Sequence, residues 1–279
     1  MANAPTKPTA PVKKESSSSS GLFATLTIPL CIIVAILIFI YILGYQGNFE
    51  GGDVDHGIPA NLFGTIHRGG NLVPVIMSYL LIVIVFSIER FVVIGKASGT
   101  ANMDSFVRKI HSALNANNID AATAECDKQK GSVANVIKSG LKKYREMEQE
   151  AGLDVDQKTL AIQKDIEEAT ALEMPMLEQN LTIIATLVSI GTLTGLLGTV
   201  FGMIGAFSNL AKSGAASQTA LSANISEALV NTALGISTSA ISIVMYNVFT
   251  SKIDKLTYAI DETGFSIVQT FAASHKSSR

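Results

Sequence analysis

The sequence predicts an all-α integral membrane protein whose long helices extend past the bilayer into the cytoplasm. Three observations predict it. Only 16% of the 279 residues are charged and 48% are hydrophobic, with a positive mean hydropathy, whereas soluble domains carry roughly a quarter charged residues. Four uncharged windows reach the length of about 20 residues that a membrane helix needs. The remaining chain repeats its apolar residues at helical spacing rather than in alternation. A formal net charge of −2 supplies no basic field for nucleic acid. Cys31 lies in an apolar run and Cys126 in a charged one, so the two cysteines build no disulfide framework.

Taken in order, residues 1–21 are rich in Pro and Lys, contain a run of serines, and cannot bury a core; they predict a disordered cytoplasmic tail. Residues 22–45 form the most apolar stretch and predict an additional N-terminal span. It is longer than a signal-peptide core and lacks a small-x-small cleavage site, so it is read as retained. Pro29 disfavours an unbroken helix near its start. Residues 46–70 predict a polar outer loop. Asp53, Asp55 and His56 could hold a metal, but three donors in an exposed Gly-rich loop are far more often solvated, and no metal site is expected. His111 and His275 lack any partner pattern and get the same reading. Residues 71–95 predict the second span.

Residues 96–178 carry amphipathic stripes. Phe106, Ile110 and Leu114 step by four; Val133, Ile137, Leu141 and Tyr144 repeat the pattern; Leu160, Ile162, Ile166, Ala169, Leu172 and Met176 do so again. The last stripe meets no breaker except Pro175 before the span 179–211. A single long helix, kinked at most, is therefore expected, about 80 Å from Asp156 to Ala211. A short outer loop, 212–225, leads to a fourth span, 226–251, and to a C-terminal helix or tail, 252–279. With the N terminus inside, the outer loops hold only Arg68 and Lys212 of the 21 basic residues. The positive-inside rule then places both termini in the cytoplasm.

The third span carries glycine at 191, 195, 198, 202 and 205. Lipid gives no hydrophobic drive for helix association, so small residues mark where backbones approach. Spacings of four and three keep Gly191, Gly195, Gly198, Gly202 and Gly205 on one narrow face. That face predicts helix packing, within one chain or between subunits. Thr192 and Thr199 fall a quarter-turn to one side of it. A hydroxyl can satisfy itself on its own i−4 carbonyl, so a lone threonine means little. The fourth span adds Glu227, Asn231, Thr232, Thr238, Ser239 and Ser242. Glu227, Asn231, Thr238 and Ser242 share one sector, and Thr232 and Ser239 a second; one could bind a neighbouring helix and the other line water. Glu227 is read either as a helix N-terminal cap or as a pore residue. No Asp, His or Lys lies deep in the spans, so a conducted proton would need a titrating group from a second protein.

"GLLGTVFGMIGAF" (195–207), "ISEALVNTALGIS" (225–237), "YNVF" (246–249) and "IERFVVI" (88–94) together resemble the ExbB/TolQ/MotA proton-channel family, closest to ExbB and TolQ, over about residues 70–255. The resemblance implies a bacterial inner-membrane location. It also implies a homo-oligomeric ring, a pentamer, around a single-span ExbD/TolR-type partner that supplies an intramembrane Asp. By position it implies that Thr199 and Thr232 line the pore and that Glu227 is the family's intramembrane glutamate. On this reading the glycines form the subunit seam and the threonines beside it face the lumen. Gly191-Thr192 and Ala240-Ile241-Ser242 stand where the family has Ala-Pro and a mid-helix proline, which leaves H⁺ and Na⁺ both open as the transported ion. No cofactor is implied. The implied function is an ion-channel subunit of an energy-transducing motor like the TonB system, with a TonB-like protein as a further partner. Alternatives are a TolQ-like, gliding or secretion motor, or a non-conducting scaffold. No nucleophile–base pair, phosphate loop or ligand cluster points to an enzyme.

Overall fold

The computed structural model describes residues 18–54, 57–213 and 218–276. Residues 1–17 of the expected tail lie outside them, as do Asp55 and His56 of the weighed metal set. Four of its helical segments are long and apolar enough to cross a membrane: Phe23–Leu43, Gly70–Asn115, Val155–Ala211 and Leu221–His275. No strand occurs among the described residues.

Helix α1 (Ser18–Leu37) begins within the stretch expected to be a tail and passes through Pro29 unbroken, continuing as a π-helical turn over Ile38–Leu43. Its buried positions, Thr27, Cys31 and Ala35, recur every four residues. These small side chains let α1 lie close to α3 (Val73–Ser98). Phe23 meets Phe86 edge to face at 5.9 Å. The loop between them is folded rather than open. Asn48 donates to the carbonyls of Ile42 and Leu43 at 2.7 and 3.0 Å, closing the last turn of the first span, and accepts from Asn61. Asn61 in turn caps the short helix α2 (Leu62–His67). His67 stacks on Phe39 at 4.5 Å.

Beyond α3 the chain forms α4 (Met103–Asn115), α5 (Ile119–Gln129), α6 (Gly131–Gln149) and α7 (Val155–Glu178). The first two expected stripes are buried: Phe106, Ile110 and Leu114, and then Val133, Ile137, Leu141 and Tyr144. Cys126 and Tyr144 sit in this extramembrane core. Burial pushes the Cys126 thiol up to about 12 and raises the Tyr144 hydroxyl above its usual range. The third stripe divides. Ile162 and Ile166 are buried, but Leu160, Met176 and above all Leu172, 81% accessible, lie open.

The single helix expected from Asp156 to Ala211 is broken. Helix α8 (Leu181–Ser213) starts afresh after Gln179 in an extended conformation and Asn180 at φ 64°. Pro175 stays inside α7, and its carbonyl accepts from Gln179 N–H. The break holds because α3 supplies the missing partners. Arg90 is 1% exposed and donates at 3.2 Å to the carbonyls of both Met176 and Leu177, the last turn of α7. The neighbouring Glu89 pairs with Arg90 and accepts from Asn180.

Helix α9 (Gln218–Lys276) is one element of 59 residues, close to 90 Å long at 1.5 Å per residue. The C-terminal helix or tail is thus a direct continuation of the fourth span. Its far half buries Leu256, Ile260, Ile267 and Phe271 in the extramembrane core, where Tyr144 packs edge to face on Phe271 at 4.9 Å.

Candidate functional site

The polar and glycine-bearing residues of the spans converge where α8 and α9 run antiparallel. Along α9, Ala228, Thr232, Gly235 and Ser239 repeat the spacings of four and three found in the α8 glycines. The two stripes face each other. A methyl group placed on Gly191 would meet Ser239 Oγ at 2.9 Å; one on Gly195, the Asn231 carbonyl at 3.1 Å; one on Gly202, Ala228 Cβ at 2.7 Å. Gly198 abuts Asn231 and Gly205 abuts Asn224. The closest point is Gly235, where a methyl would lie 2.6 Å from the Gly191 carbonyl oxygen and 2.8 Å from Gly195 Cα. The glycine face therefore packs within the chain, which corrects the expectation that it forms the subunit seam. Gly235 completes the crossing and was missed; its place in the matching small-residue stripe was the available signal.

Hydroxyls lock this crossing. Ser239 donates to the Val188 carbonyl at 2.6 Å and accepts from Thr192 at 2.7 Å. Thr232 lies within reach of two carbonyls, Gly195 across the crossing at 3.0 Å and Ala228 on its own helix at 3.1 Å. Thr199 differs. Its hydroxyl turns back to Leu196 O at 2.6 Å, and its side chain lies on the outer flank of α8 beside a shallow cavity of about 540 Å³ with Val200, Met203, Ile204 and Phe207.

The other polar sector of α9 points inward. Asn231, Thr238 and Ser242 are all buried, with Thr238 and Ser242 donating to the carbonyls one turn back, Leu234 and Thr238. Asn231 Nδ2 donates to Gly69 O at 2.7 Å. Within one chain, then, Thr232 and Ser239 meet α8, while Asn231, Thr238 and Ser242 are buried, Asn231 against Gly198 as well. Glu227 lies partly buried with a carboxylate oxygen pressed against Gly70, in the turn that begins α3. Gly70 has φ 73°, a left-handed conformation that glycine adopts freely. The carboxylate is thus engaged with another helix's turn, beyond its own N-terminus. His111 accepts or shares a proton with Ser266 at 3.0 Å, and His275 stacks on Phe271 at 4.2 Å; neither joins a cluster. Among the described residues no group of three His, Cys, Asp or Glu is placed to hold a metal.

Sequence comparison bears on this arrangement. Residues 128–262 match the profile of the MotA/TolQ/ExbB proton channel family. The chain is 24% identical over 212 residues to the Tol-Pal system protein TolQ of Pseudomonas aeruginosa, covering 74% of this chain and 89% of that protein. It is 36% identical over 88 residues to the putative biopolymer transport protein ExbB-like 3 of Synechocystis, 31% of this chain and 42% of that one. It is 30% identical over 102 residues to the biopolymer transport protein ExbB of Xanthomonas campestris, 37% of this chain and 40% of that one.

Proposed function

We propose a mechanism from one premise: the chain belongs to the MotA/TolQ/ExbB proton channel family. It is a multi-pass inner-membrane subunit of the channel type that transduces energy, and it is not an enzyme. Our finer reading is a homopentameric ring with both termini in the cytoplasm, enclosing the helices of a single-span ExbD/TolR-type protein that carries an intramembrane Asp. Ions, H⁺ or Na⁺, pass down their gradient beside that Asp, and the resulting motion drives an outer-membrane system through a TonB-like link.

The observation that carries this reading is the disposition of two hydroxyl protons. Thr199 commits its proton to Leu196 O, and Thr232 its own to a backbone carbonyl. Each oxygen keeps its lone pairs. Such a group welcomes a protonated carboxyl, which donates, or a cation, and repels an ionised carboxylate. The ring then holds the partner Asp when it is neutral or ion-bound and releases it when it is bare. Each binding event changes which ring contacts are preferred, which is the condition for a step. One charge crossing 100 mV carries about 2.3 kcal/mol, so a substantial stroke takes several ions. Thr192, Ser239 and the α8 glycines fix the shape of the wall, while Glu227 stands at the end of the pore where α8 turns into α9.

The test is ion flux into vesicles containing the chain and its partner, with wild type compared to Thr199→Val and to partner Asp→Asn. Flux lost in both variants supports the reading. A wild-type complex that passes neither protons nor sodium favours the rival reading, a non-conducting scaffold.

A further inference from the structure

The loop that joins the first two spans lies against the flank of the first span and not above it. His67, the last residue of α2, stacks on Phe39 at 4.5 Å with the rings 13° from parallel. Phe39 sits one turn inside the end of the helical run at Leu43. A methyl group on Gly44 would stand 3.1 Å from His67 Nε2, and one on Gly64 would strike the Asn48 carbonyl. Gly64 and His67, three apart and so on one side of α2, thus press that helix onto the residues that close the span. Its depth is that of the span's last turn. At this depth Leu62, 71% exposed, and Phe63 are left open, as are Tyr41, 72% exposed, and Tyr45. The nearby cation is drawn into the loop instead: Arg68 donates to Gly57 O and lies over the Phe49 ring.

We propose that α2, together with Tyr41 and Tyr45, is an interfacial anchor embedded in the bilayer leaflet away from α4–α7, with Leu62 and Phe63 among the upper acyl chains. Two observations make lipid the occupant. The open face of α1, formed by Leu26, Leu30, Ile33 and Leu37 at spacings of four and three, runs on to Tyr41 and Tyr45. The patch therefore continues a surface that the bilayer covers along the span. The two tyrosines also bracket the end of that span at Leu43, where a ring with a polar tip suits the headgroup level. In water the same four side chains would form an exposed apolar patch with nothing to cover it. The anchor gives the additional span a role. Held by lipid, α1 and its loop brace α3, and because Asn231 ties Gly69 to α9, the brace fixes the starts of α3 and α9 at one height. The inference goes beyond the channel reading and holds whether or not the chain conducts.

The chain has no tryptophan, so a single introduced indole reports its own depth. Full-length Phe63→Trp and, separately, Leu62→Trp are reconstituted in phosphatidylcholine liposomes in which part of the lipid carries bromine, a short-range quencher, either high on the acyl chain or near its end. Ile33→Trp, at the middle of the first span and exposed, is the deep standard, and Lys128→Trp, on α5, is the aqueous one. Burial by about 5–10 Å predicts that the indole at 62 or 63 is quenched about twofold more by the shallow bromine than by the deep one, whereas Ile33→Trp reverses that order. Its emission should lie to the blue of Lys128→Trp, and iodide in the buffer should quench it far less. Two adjacent positions are used so that a variant that fails to elute as wild type leaves the other to decide. An indole open to iodide and untouched by either bromolipid overturns the proposal in favour of a loop standing in water. An indole shielded from bromine and iodide alike overturns it in favour of a protein neighbour.

Discussion

Replacing Gly235 with alanine tests the α8–α9 crossing most directly. The added methyl would stand 2.6 Å from the Gly191 carbonyl oxygen and 2.8 Å from Gly195 Cα, where ordinary contact begins near 3.4 Å. Both obstacles are backbone and cannot rotate away, so the helices must part by about 0.8 Å at their closest point. Overpacking of this kind costs about 1–3 kcal/mol. The separation also stretches the Ser239 to Val188 and Thr232 to Gly195 hydrogen bonds, each worth about 0.5–1.5 kcal/mol. Alanine's better helix propensity returns about 1 kcal/mol. The net loss is about 1–5 kcal/mol, or roughly 2–4 °C in Tm for each kcal/mol in a chain somewhat shorter than this one. Gly95→Ala is the matched control, since nothing lies within 4 Å of its would-be methyl. The chain has no tryptophan, but Cys31 and Cys126 are both buried and free. A thiol-reactive fluorogenic dye therefore reports unfolding in detergent as the thiols emerge. Gly235→Ala melting together with Gly95→Ala would refute the close crossing.

Two further expectations concern the rest of the molecule. Arg90→Met leaves the Met176 and Leu177 carbonyls and Glu89 without their buried partner, a loss of about 3–5 kcal/mol; cleavage by a glutamate-specific protease after Glu178 should accelerate, and an unchanged rate would remove Arg90 from the hinge. Cys126 is held neutral in the fold up to about pH 12 but ionises near 9.0 when exposed, so nothing is lost below pH 9, while above it the unfolded chain alone loses its proton and stability falls by about 1.4 kcal/mol per pH unit; Cys126→Ala should flatten that alkaline decline in thermal melts, and an identical decline in both proteins would show that the thiol does not cause it.

Some elements could be read from the chain directly. An uncharged run of more than 20 residues has one stable solution in a bilayer, because every backbone polar group must be paired within its own helix; the spans followed from that alone. The stripes of α4 and α6 were legible because a helix in water buries whatever repeats at its own period. The stripe of α7 was only half legible, since Leu160, Leu172 and Met176 have the right spacing and yet lie open. Spacing states that a face is apolar and not what covers it.

The glycine face shows the same division more sharply. The sequence by itself determined that Gly191, Gly195, Gly198, Gly202 and Gly205 share a face and must touch a backbone, because helical geometry and the absence of side chains leave no other use for them. Only the tertiary structure decided that the backbone is that of α9 in the same chain, since a helix surface carries no record of whether its complement lies in its own polypeptide or another. The break at Asn180 and the turn at Gly69 and Gly70 belong to the same class. Arg90 reaches its carbonyls across 86 and 87 residues of chain, and Asn231 reaches Gly69 across 162. Hydrogen bonds of that span are chosen by where packed helices bring distant groups together, and no local pattern encodes them.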